Sequence, residues 1–86
     1  MMLSEWLLKR FRRLSARHKR VFFIELKSNP IGLRNSLVEQ IHASWWREYW
    51  IDCEGYTLPG VVEESVDEAV AKIREQFAAE IRAIPA

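Results

Sequence analysis

The chain of 86 residues is long enough for one domain and too short for two. It is 49% apolar and 12% aromatic, with four Trp, which excludes a disordered chain and provides material for a packed core. The net charge of +1 conceals a split: residues 1–30 hold eight Lys/Arg against two acids, a net of +6, while residues 31–86 hold five against ten, a net of −5.

The first predicted element is a helix from Ser4 to Ala16. Ser4 suits an N-cap, and Glu5 sits where the positive end of the helix dipole favours an anion. Leu3, Leu7, Phe11 and Leu14 recur at helical spacing and stack on one face. Lys9, Arg10, Arg13 and Arg17 fall on an adjoining arc, with Trp6 at its edge. A strand from Arg20 to Lys27 is predicted next, because Val21-Phe22-Phe23-Ile24 is β-branched and aromatic. Phe22, Ile24 and Leu26 would share one face, and Val21, Phe23, Glu25 and Lys27 the other.

Ser28-Asn29-Pro30 ends that strand, and residues 31–44 read as a short helix. Asn29 or Ser28 would cap it, with Pro30 near its first position; a loop leading into a longer strand competes with this reading. Trp45 to Cys53 reads as a second strand, Glu54-Gly55 as a hairpin turn, and Tyr56 to Leu58 as a short return strand stopped by Pro59. Ser65-Val66-Asp67-Glu68 has the S-x-x-E form of a capping box. It opens a helix whose stripe of Val66, Val70, Ile73, Phe77, Ile81 and Ile84 runs to Pro85. The expected architecture is a single-domain α+β two-layer sandwich in the order α-β-α-β-β-α. Its three-stranded sheet would pack against the long C-terminal helix.

No nucleophile elbow, Walker loop, Rossmann glycine pattern or C-x-x-C occurs, so the expectation is a non-enzymatic protein with no cofactor and no bound metal. His18 reads as a solvated helix-end residue. His42 with Cys53 is the one conceivable nucleophile pair, and Cys53 reads more simply as a small apolar residue. Glu63, Glu64, Asp67 and Glu68 read as acids that complement a helix N-terminus. Cys53 is the only cysteine, which fits a reducing compartment and a cytoplasmic location. No apolar run approaches the ~20 residues of a membrane span, and arginines interrupt any secretory core at the N-terminus.

Two surfaces carry the functional expectation. Trp46, Trp50 and Phe23 would form an aromatic patch on the open sheet face and bind a partner protein, unless a helix covers them. Lys9, Arg10, Arg12, Arg13, Arg17 and Lys19 would bind phosphates or an acidic partner, unless the acidic C-terminal half neutralises them. A membrane-surface role for Trp6, Leu7, Leu8 and Phe11 is a weaker reading, since a sheet would need the same residues as cover.

Tyr56-Thr57-Leu58-Pro59-Gly60 followed by Glu64-Ser65-Val66-Asp67-Glu68-Ala69 resembles the D-L-P-G … T-x-E-E-A segment of HicB-type antitoxins. In that family a β-β-β-α module neutralises a small mRNA-cleaving toxin. Thr57 stands where the family has Asp, the two halves lie two residues closer together, and the basic N-terminal helix has no counterpart there. The resemblance implies an inhibitor role without assigning the family. The leading expectation is therefore a small protein-binding module, an inhibitor or accessory regulator of phage or mobile-element type, that also self-associates as a homodimer. The alternative is a nucleic-acid-binding regulator using the basic helix.

Overall fold

The computed structural model describes residues 2–45 and 60–85, and every regular element among them is helical. In chain order these are α1 (Leu3–Arg12), α2 (Ala16–Ser28), α3 (Pro30–Gln40), a π-helical turn (Ile41–Trp45), α4 (Val61–Gln76) and α5 (Ala78–Arg82). The expected α+β sandwich is thereby overturned. The segment assigned to the first strand, Arg20–Lys27, lies inside α2. The second strand beyond Trp45 and the return strand fall outside the described residues.

The reason for the difference lies in residues 13–28. The first helix stops at Arg12, and the Arg13 N–H reaches back to the carbonyls of Lys9 and Arg10 at 3.3 and 3.2 Å. Ser15 then starts a new helix: its hydroxyl accepts from the His18 N–H at 3.2 Å, satisfying one of the unpaired donors of the first turn. Once α2 is nucleated there, the Val-Phe-Phe-Ile run continues it despite its β preference, because packing outweighs intrinsic propensity. Phe23 and Leu26, three residues apart, turn inward, whereas Val21 and Ile24 remain 52% and 39% exposed.

The third helix follows the sequence closely. The Asn29 carboxamide oxygen accepts from the Gly32 N–H at 3.2 Å, and Pro30 occupies the first helical position. A methyl group on Gly32 would collide with that capping carboxamide. Gly→Ala inside a helix ordinarily gains about 1 kcal/mol. Here Gly32→Ala is expected to gain nothing, because it displaces the cap. In an Asn29→Ala background the same change should recover most of that gain, a coupling that urea denaturation of the two single variants and the double variant measures.

The last helix begins earlier than the capping box predicts. Gly60 adopts φ 90°, a left-handed conformation that suits glycine, and α4 starts at Val61 with Glu63 and Glu64 in its first turn. Ser65 is thus an interior residue. The helix breaks at Phe77 (φ −116°, ψ 27°) and resumes as the short α5.

The main packing pair is α1 on α4. The α3 helix lies against α4 and α2, and α2 also meets α5. Two buried clusters result. One joins Leu3, Trp6 and Leu7 of α1 to Ile41 and to Val62, Val66 and Ala69 of α4. The other joins Leu8 and Phe11 of α1 to Phe23, Ile73 and Ile84, with Phe22, Phe77 and Ile81 packed against it.

Ser4 occupies the first turn of α1 rather than its cap. It is 1% exposed, and its hydroxyl has no hydrogen-bond partner among the described residues. Ser4→Ala is therefore expected to raise stability by about 1 kcal/mol, since it removes an unsatisfied buried hydroxyl. A capping role would instead make the same change cost about 1 kcal/mol. The direction of the shift in a denaturation midpoint decides between them.

Candidate functional site

The break between α1 and α2 gathers the basic block at one corner of the fold. Lys9, Arg10 and Arg12 form the last turn of α1, Arg13 caps it, and Arg17, Lys19 and Arg20 lie in the first turns of α2. Cations at the end of α1 complement its dipole. At the start of α2 they oppose it, and no acid is present there to compensate. Each such placement costs about 0.3–1 kcal/mol at an exposed position. A local rule broken without structural gain is a mark of a functional surface.

Two partners of this corner are uncharged side chains of the described residues. Arg12 Nη2 donates to Gln76 Oε1 at 2.7 Å, and the Arg10 guanidinium lies 5.1 Å from the centroid of the Trp6 ring. Lys9, Arg13, Arg17, Lys19 and Arg20 form no ion pair or side-chain hydrogen bond among the described residues. His18 is exposed at the same corner, its Nδ1 3.1 Å from the Ser15 hydroxyl.

The acidic half takes its cations from elsewhere. Asp67 binds Arg34 through two contacts, Nε to Oδ1 at 3.0 Å and Nη2 to Oδ2 at 3.3 Å. That hydrogen-bonded pairing, with the charges of Asp67 and Glu63, holds the Arg34 guanidinium above its ordinary pKa. Glu68 pairs with Lys72 at 3.3 Å, and Glu63 lies 3.8 Å from His42 Nε2. Neutralisation of the basic block by the acids of α4 is thus not what the described residues show. The Arg34–Asp67 pair joins α3 to α4 across 33 residues of sequence, a separation that no local spacing rule reveals.

The expected aromatic surface fares differently. Phe23 is 6% exposed, and its ring lies 5.7 Å from both Phe11 and Phe77, so it is core and not contact surface. Its assignment to an open sheet face fails with the sheet. Trp46, Trp50 and Cys53 lie outside the described residues. Trp6 is 4% exposed, and Leu7, Leu8 and Phe11 are buried with it, which commits the apolar face of α1 to the core and not to a membrane surface. No helix of the described residues is long and apolar enough to cross a membrane.

A half-open cleft of about 590 Å³ is lined, among the described residues, by α1, α2, α3 and α4. Leu7, Phe11, Leu37, Val66, Val70 and Ile73 form its apolar walls. Arg10, Arg13 and His18 stand at its basic end, beside Leu14 and Val21.

No family model, no curated protein and no solved structure matches the chain. Of the HicB-like segment, the strand and turn portion before Gly60 lies outside the described residues, and the Ser65–Glu68 portion lies inside α4.

Proposed function

We propose that this chain is a small cytoplasmic, non-enzymatic binding module, an inhibitor or accessory regulator, that docks its basic α1–α2 corner on an acidic protein surface. The observation that carries the reading is the set Lys9, Arg13, Arg17, Lys19 and Arg20: five cations on two adjoining helix ends, none of them engaged with a carboxylate among the described residues. A dense positive field of this kind steers and orients an acidic partner. Two copies of the chain would bring such corners together only against repulsion, so the corner is read as a surface for a different molecule.

Phosphate is the second reading, because the same cations suit a nucleic-acid backbone. Sequence-tolerant binding of single strands also uses exposed aromatic rings as stacking platforms. Of the described aromatics near the corner, Trp6, Phe11 and Phe23 are buried and Phe22 is half-buried, so none stands out as a fully exposed stacking platform. That weighs toward the protein partner.

Titration of a labelled poly-glutamate peptide and of a DNA duplex, at ~50 and ~200 mM salt, separates the two readings. Saturable poly-glutamate binding that weakens with salt and exceeds duplex binding supports the proposal. Tighter binding of the duplex, with a loss of about 10³-fold across that salt range, favours the nucleic-acid reading. Absence of binding to either polymer at the lower salt refutes both.

A further inference from the structure

A half-open apolar cleft is walled by members of both buried clusters, Leu7, Val66 and Ala69 from one and Phe11 and Ile73 from the other. A cleft with apolar walls accepts apolar guests. At about 590 Å³ this one lies within the range of small-molecule sites, which are typically about 300–1,000 Å³, mostly apolar, with a few convergent polar groups.

The charge around the cavity is uneven. Arg10 and Arg13 come from the end of α1, and His18 from the start of α2, where the backbone N–H groups also point their positive dipole end. Further along α2, Glu25 lines the same space, and Gln40 lines it from α3. An anion is therefore favoured at the Arg13 end and repelled at the Glu25 position, which sets one orientation for an amphiphilic guest.

We propose that this cavity binds one free medium- or long-chain carboxylate. The tail lies along the apolar walls, and the carboxylate head meets Arg13, with Arg10 and His18 beside it. The acyl chain covers the apolar walls of the cleft, while the head takes up the charge of Arg13, which no acid engages among the described residues. This site goes beyond the docking role of the corner and shares only its rim.

Isothermal titration of the full chain with hexanoate, octanoate, decanoate and dodecanoate, beside dodecanol, tests the proposal. One equivalent of dodecanoate should bind. Affinity should rise about three- to fourfold for each methylene that enters the cavity. Dodecanol should bind at least about tenfold more weakly, and Arg13→Glu should reduce dodecanoate to the level of the alcohol. Val70→Trp should block both ligands, with unchanged far-ultraviolet circular dichroism showing that the helices persist. Arg17→Glu, at the corner but not among the residues lining the cavity, should weaken poly-glutamate binding and leave dodecanoate affinity within about twofold of wild type. The proposal is overturned by lack of saturable dodecanoate binding, by equal affinity for acid and alcohol, or by affinity that Arg13→Glu leaves unchanged. A Val70-dependent dimer that excludes dodecanoate would likewise overturn it, by assigning the cavity to a second copy of the chain.

Discussion

Phe11→Ala is expected to cost about 3–5 kcal/mol, a large part of the roughly 5–15 kcal/mol that holds a small domain together. Phe11 is the ring on which three parts of the chain converge. Its centroid lies 4.9 Å from Phe22, 5.7 Å from Phe23 and 5.3 Å from Phe77, in tilted and edge-on arrangements. Truncation removes the contact of α1 with α2 and with the α4–α5 junction, and it enlarges a cavity already bordered by this residue. The urea midpoint should fall steeply, and much of the variant should be unfolded at 37 °C. Double-mutant cycles add a topological check. Phe11–Phe22 and Phe11–Phe23 should each couple by about 0.5–1.5 kcal/mol. In a strand, Phe22 and Phe23 would point to opposite faces, and only one of them could couple to Phe11.

Arg13→Glu with Arg17→Glu should weaken poly-glutamate binding by at least about 100-fold at ~50 mM salt, since juxtaposed like charges cost several kcal/mol. The fold should be nearly indifferent. Arg13 and Arg17 are both exposed, and neither has an ion pair or side-chain hydrogen bond among the described residues. Glutamate at position 17 would complement the α2 dipole and glutamate at position 13 would oppose that of α1, each by about 0.3–1 kcal/mol, so the two nearly cancel. Arg74→Glu with Arg82→Glu changes the net charge by the same amount at exposed sites on α4 and α5. That pair should lower affinity several-fold at most. Equal losses from the two double variants would mean that net charge, and not the corner, governs binding.

The parts of the fold legible in the sequence are those decided by local chemistry. The Leu3, Leu7, Phe11 face of α1, the Asn29 cap with Pro30 behind it, and the inward stripe from Val66 to Ile84 all follow from spacing and capping rules. The α2 segment was not legible, because Val21-Phe22-Phe23-Ile24 satisfies a strand pattern as well as a helical one over so short a run. The signal that favours the helix is Ser15, a good N-cap three residues before His18 and outside the apolar run. The capping box at Ser65 misled in the opposite direction, since Gly60 with Glu63 and Glu64 already starts the helix a turn earlier. The basic block was visible as composition. Its division over two helix ends depends on the turn at residues 13–15, and the cavity beside it depends on how four helices meet; neither is a local property.

The proposed contact surface is the α1–α2 corner. An amide chemical-shift map of the full chain, recorded as poly-glutamate is added at ~50 mM salt, tests it most directly. Perturbations are expected to concentrate from Lys9 to Arg20 and to fade at ~200 mM salt, where screening is stronger. Perturbations centred instead on the Glu63–Glu68 turn of α4, or the absence of any change at the corner, would contradict it.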